Sequence, residues 1–184
     1  GQKTYIGTEG DLKNIGNYNK VAHFNFGGIE DSFTIDKASA ISKATSDPAF
    51  DFSGKMYTNQ TCTEETTNYA EAKYGDIAYW ASKGQYRMPS KADMEQLYAG
   101  ACRTKATCNG VNGTYFYNPA KGELPGVVDG TKEVTVDDLN VGLFLPWSGR
   151  AYNGTEYSIY KINSQAVYRT STVNSTSTED DTHG

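Results

Sequence analysis

The sequence predicts an α+β domain. Two stretches carry helical spacing, near residues 64 to 83 and 90 to 101, and short runs of strand length lie before, between and after them. A length of 184 residues fits one core with long excursions. The composition agrees: 37% hydrophobic, 21% charged and 12% aromatic with 14 Tyr, so the low mean hydropathy of −0.64 comes from Thr, Ser, Asn, Gly and Tyr. A disordered polyelectrolyte needs high net charge and few aromatics, and this chain has neither.

Residues 1–20 are rich in Gly and Asn and form a lead segment. Val21-Ala22-His23-Phe24-Asn25-Phe26 alternates and stops at Gly27-Gly28, which predicts a first strand and a turn. Ile29 to Thr58 mixes short alternating pieces with Ser, Asp and Gly and reads as irregular. From Glu64 to Ser82, Ala70, Tyr74, Ile77, Ala78 and Ala81 recur at spacings of three and four, and Lys83-Gly84 supplies a basic last turn with a C-cap glycine. Gly75 inside this stretch allows for two pieces.

Pro89 excludes helix for Met88, and Ser90 can cap the next helix, in which Met94, Leu97, Tyr98 and Ala101 form an apolar face. Asn109-Gly110 and Asn112-Gly113 read as turns before a Thr114–Tyr117 strand. Residues 118 to 140, with Pro119, Pro125, Asp129-Gly130 and Asp137-Asp138, read as a long surface excursion. Val141 to Leu145 is expected to be a buried strand, Pro146 to Arg150 an outward turn, and Ala166 to Thr170 a last short strand. Residues 173–184 form a polar tail, leaving 21–172 as the core of a single domain.

Several function classes are disfavoured. Lys+Arg 17 against Asp+Glu 22 gives a net charge of −5 with the cations scattered, so no nucleic acid partner is expected. No run reaches the length of a transmembrane segment, and the first residues lack a secretory signal, so the chain is expected to be cytosolic or to have lost that signal. With only His23 and His183, neither a histidine metal site nor a Ser-His-Asp triad is expected, and no cofactor is implied. Cys62, Cys102 and Cys108 leave at least one thiol unpaired within the chain; a Cys102–Cys108 disulfide and free thiols both remain open. Asp137-Asp138 and Glu179-Asp180-Asp181 lack the alternating oxygen spacing of an EF-hand loop and read as solvated charge. The C-terminal half concentrates Trp147, Arg150, Tyr152, Tyr157, Tyr160 and Tyr168 among Asn153, Asn163 and Gln165. Rings stack on the apolar faces of sugars or peptides and amides satisfy hydroxyls, although the same rings also suit the core of a β-rich domain.

Four segments in order carry a family likeness: Asp76 to Trp80; Gln85 to Leu97, with Arg87-Met88-Pro89-Ser90; Gly142 to Arg150, with Phe144-Leu145-Pro146-Trp147-Ser148-Gly149-Arg150; and Val167 to Thr172. Together they resemble the major-paralogous-domain branch of the C-type-lectin-like and sulfatase-modifying-factor superfamily, as in surface lipoproteins and fimbria-associated proteins of gut Bacteroidetes. The chain departs from that pattern at Tyr168-Arg169, where Tyr-Trp is usual, in its long 118–140 loop, and in the further strand that normally follows Thr172.

The resemblance implies a C-type-lectin-like fold: two helices packed on a small twisted antiparallel sheet, with the Leu143-Phe144-Leu145-Pro146 strand at its buried centre, long irregular loops, and Trp80 and Arg87 in structural roles. It implies a non-enzymatic binding module at the extracellular or outer-membrane surface, holding a glycan or protein ligand without calcium, since the Glu-Pro-Asn and Trp-Asn-Asp motifs are missing. The candidate ligand residues are Trp147, Arg150, Tyr152, Asn153, Tyr157 and Tyr160, because in such a fold the chain leaves the central strand there. The alternative is a structural subunit of a surface appendage such as a pilus tip, with a donor-strand or subunit partner. The formylglycine-generating oxidase branch works through a late pair of thiols with copper, and no cysteine follows Cys108.

Overall fold

The structure, a computed structural model, describes residues 26–29, 41–43, 47, 49–121, 124–153, 157–161 and 163–173, with 121, 150–153 and 157–160 as backbone. The lead segment 1–20, the expected strand 21–26 apart from Phe26, His23, His183 and the tail from 174 lie outside these residues. Among the described residues the architecture is α+β, with few helices, small sheets and no barrel. Backbone contacts group the chain into two units: residues 1–92 with 168–184, and residues 93–167, the boundary falling after Ala92.

The first unit is organised around aromatic side chains. Phe26, Ile41, Phe50, Phe52, Tyr57 and Cys62 form one buried cluster, and Ile29, Met56 and Ala72 form another, lined by Tyr69, Tyr79 and Trp80. Phe26 meets Phe52 edge-on at 5.1 Å between centroids. Strand β1 (Met56–Tyr57) pairs antiparallel with β2 (Tyr74–Gly75), and helix α1 (Ile77–Ala81) follows. The long helix expected over 64–83 is therefore confined to its last third. Thr66 and Asn68 side chains accept from the backbone N–H groups two residues on, which favours turns over helix. Thr66 and Lys73 donate to Met56 and Tyr57 carbonyls, so the segment is held as a partner of β1. Gly75, at φ +120°, presses so close to the Lys55–Met56 backbone that a Cβ would not fit, and it ends any helical continuity.

Asp76 is the buried hub of this unit. Fully inaccessible, its carboxylate accepts from Tyr79 N as the cap of α1, and from Gly54 N at 2.8 Å and Met88 N at 2.9 Å. Arg87, by contrast, is exposed, donating to Ser53 Oγ at 2.8 Å and to the Met88 carbonyl. Trp80 donates through Nε1 to the Tyr69 carbonyl at 2.7 Å. Near the end of the described chain, Ser171 and Thr172 donate to the two oxygens of Asp51, and Thr172 Oγ1 accepts from Lys91 N. Val173 packs on the aromatic cluster and its N–H donates to the Phe50 carbonyl.

The second unit is built on a five-stranded sheet. Helix α2 (Lys91–Gly100) starts just before the unit boundary and leads into β3 (Cys102–Cys108), which turns at Asn109-Gly110 into β4 (Val111–Tyr117). Both turn residues have positive φ, 50° and 78°, as a two-residue hairpin of this kind requires. The 118–140 excursion is structured: a 3-10 turn (Pro119–Lys121), β5 (Val127–Val128), β6 (Thr131–Glu133) and helix α3 (Val136–Leu139). Strand β7 (Gly142–Pro146) then pairs with β4.

The sheet order is β5-β6-β3-β4-β7 and β6 runs parallel to β3, so the expected antiparallel sheet is a mixed one. Strand β7 lies at its edge, not at its centre: the excursion returns to pair with β3, leaving β7 only β4 as a neighbour among the described residues, and Val141 and Leu143 stay 56% and 44% exposed. The strand expected at 166–170 reduces to one parallel bridge between Ala166 and Gly149. Cys102 and Cys108 occupy the two ends of β3, about 20 Å apart along an extended strand, and both are free thiols, as is Cys62.

Asp138 is far from a solvated charge. It closes a capping box with Thr135 and forms an ion pair with Lys132 at 2.9 Å, the two side chains being 12% and 2% exposed. Lys132 Nζ also donates to the Pro125 carbonyl, and Tyr115 Oη donates to the Asp138 carbonyl. This knot fastens the excursion to the sheet. Among the described residues no helix is long and apolar enough to cross a membrane.

Candidate functional site

The chain leaves β7 through Pro146, whose missing N–H suits an edge strand, into Trp147. Three hydrogen bonds fasten that residue: its N–H to the Asn112 carbonyl at 2.7 Å, its indole N–H to Thr114 Oγ1 at 3.0 Å, and its carbonyl from Asn163 N at 2.8 Å. Asn112 Nδ2 donates to the Asn163 carbonyl, and Gly149 N donates to the Gln165 carbonyl. From this base rises a hairpin, β8 (Arg150–Asn153) and β9 (Tyr157–Tyr160). Trp147 is half-buried and serves as the foot of the hairpin as well as a ring at its margin.

The five other expected ligand residues all belong to the hairpin, in the register Arg150↔Tyr160, Tyr152↔Ser158 and Asn153↔Tyr157. Opposite partners share a face and successive residues alternate, so Arg150, Tyr152 and Tyr160 fall on one face and Asn153 and Tyr157 on the other. Spacing along the sequence could not divide them, because the division depends on where the strand turns back. Tyr168 belongs to the first unit.

No family model, curated protein or solved structure matches this chain. Its chemistry therefore has to be read from its own side chains.

A second surface lies on the sheet itself. On β3 and β4 the register pairs Arg103 with Phe116 and Lys105 with Thr114, and on β7 Leu143 opposes Phe116 and Leu145 opposes Thr114. These residues share one face of the sheet. Tyr98 of α2 sits edge-on to Phe116 at 5.3 Å, the Arg103 guanidinium lies 4.8 Å from the Tyr98 ring, and Trp147 reaches the same face through Thr114. The two cations alternate in a run, Arg103-Thr104-Lys105-Ala106-Thr107, that has strand period but almost no apolar residue, so only its position before Asn109-Gly110 signals a strand. Thr107 Oγ1, on this strand, is buried with no hydrogen-bond partner among the described residues.

The perturbed groups lie elsewhere. Burial pushes the Cys62 thiol up to about 11, partly opposed by Lys43, and the Tyr57 phenol up to about 12. Burial also pushes the Asp138 carboxyl up, but hydrogen bonds from Lys132 and Thr135 outweigh it and hold the group below its ordinary value. A thiol kept protonated is a packing element, not a nucleophile. Among the described residues no cluster of three or more His, Cys, Asp or Glu could hold a metal ion.

Proposed function

We propose that this chain is a non-enzymatic, extracellular binding module of the C-type-lectin-like kind, part of a surface lipoprotein or fimbria-associated protein, which holds a glycan or protein ligand without calcium. The supporting observation is the β8–β9 hairpin, raised on a base that Trp147, Asn112, Asn163 and Gly149 tie to the sheet. Recognition commonly sits on a segment projected from a rigid scaffold, and this one carries three tyrosines and an arginine. The four ordered motifs lend it the family reading.

A glycan array probed with the wild type and with Tyr152→Ala/Tyr160→Ala tests this. The two tyrosines share a hairpin face, so the double variant should keep its far-UV circular dichroism and lose binding. Unaltered binding would remove the hairpin as the site.

A second reading, an assembly subunit of a surface appendage, is favoured by the sheet edges: Val127 and Val128 on β5 and Leu143 on β7 are exposed at strands with one neighbour each. Concentration-dependent ladders in unboiled gels, lost on adding a competing strand peptide, would support it. The oxidase branch needs two thiols in contact, whereas Cys102 and Cys108 stand at opposite ends of β3.

A further inference from the structure

We infer that the sheet face bearing Arg103 and Lys105 is a binding surface for acidic saccharides. This rests on the binding-module reading but moves the contact from the hairpin to the sheet and names the ligand class.

Both cations are exposed and stand two residues apart on one strand, so they share a face. Neither forms an ion pair among the described residues; Arg103 meets only the Tyr98 ring. The strands of this sheet contribute a single carboxylate, Glu133, opposite Thr107 at the far end of the face. Two exposed cations on a face whose strands carry one carboxylate favour an anion.

Rings flank the cations at both ends. Tyr98, 51% exposed, stands over Phe116, and the Trp147 indole is bonded to Thr114. Phe116 and Thr114 are two residues apart on β4, about 7 Å, so the two rings stand at separate points along the face. Sugar rings present apolar C–H faces to aromatics and carboxylates to cations. Strand β4 is paired from Gly113 to Tyr117 with β3 on one side and β7 on the other, so beneath these rings the sheet offers a ligand side chains and not main-chain groups.

The test is titration calorimetry with tetragalacturonate and sialyllactose as two sources of sugar carboxylate, against neutral maltotetraose and lactose. The wild type should prefer at least one acidic probe, and that preference should shrink as NaCl rises from about 50 to about 500 mM. Arg103→Gln/Lys105→Gln, two exposed changes, should weaken acidic binding about tenfold or more. Leu143→Glu, at a position 44% exposed on the same face, should do likewise by repulsion, with circular dichroism unchanged. Absence of binding to both acidic probes overturns the inference, as does equal binding of the neutral ones. Acidic binding that survives Arg103→Gln/Lys105→Gln but is lost in Tyr152→Ala/Tyr160→Ala also overturns it, while leaving the hairpin reading intact.

Discussion

Removing the Asp138 carboxylate should cost the second unit far more than removing the lysine that faces it. In Asp138→Ala the Lys132 ammonium, in a side chain 2% exposed, keeps only the Pro125 carbonyl as a partner. A lone buried charge of this kind costs about 3 to 5 kcal/mol. The same carboxylate accepts from Thr135 N at 2.7 Å and Thr135 Oγ1 at 2.8 Å, a capping interaction worth about 1 kcal/mol. The two losses pass through one group and do not simply add, so about 4 kcal/mol is expected, a large share of the roughly 5 to 15 kcal/mol that holds a domain folded.

Lys132→Met keeps the buried stem and leaves Asp138 with both Thr135 donors, so it should cost about 2 kcal/mol. Adding Lys132→Met to Asp138→Ala removes the stranded charge and should restore stability. Urea unfolding in a Trp80→Phe background reads this cleanly, because Trp147 is then the only tryptophan and lies in the same unit as the pair. A shift of about 2 M urea is expected for Asp138→Ala. The pH dependence has a definite sign. A depressed native carboxyl value contributes stability that is present above the ordinary value of about 3.9 and is lost as pH falls through the native one; Asp138→Asn should flatten the curve there. A loss under about 1 kcal/mol for Asp138→Ala, or a double variant no more stable than it, would refute the reasoning.

Two further outcomes follow from buried polar groups. Thr107→Val should leave stability unchanged or raise it by about 1 kcal/mol in the same urea assay, since the hydroxyl it removes is buried without a partner; a clear loss would mean that the hydroxyl has one. Cys62 should resist thiol reagents at pH 8 while Cys102 and Cys108, half-buried, react first. Because its native value is raised, the stability that Cys62 contributes is complete below about pH 9 and should fall as pH rises toward about 11, and Cys62→Ala should lose that component of the alkaline fall.

Local chemistry alone determined several elements. Asn109-Gly110 is a hairpin turn because both residues tolerate positive φ, and helix α2 begins just after Pro89 because the proline bars helix before it. The apolar run 141–145 contains most of a strand. What the tertiary structure decided lies beyond that range. Residues 64–76 have helical spacing, yet β1 takes their hydrogen bonds and Gly75 must pass the Lys55–Met56 backbone, a contact set by segments some twenty residues apart in sequence. Strand β3 looks too polar for a sheet centre, but β4 pairs with it along its whole length and β6 joins it at Ala106 and Thr107, while the exposed Arg103 and Lys105 share one of its faces. Asp138 and Lys132 read as ordinary surface charges until α3 folds back over the sheet. The hairpin residues form one list in sequence and two faces in space, because a strand's period of two becomes a surface only when its register is fixed by a partner strand.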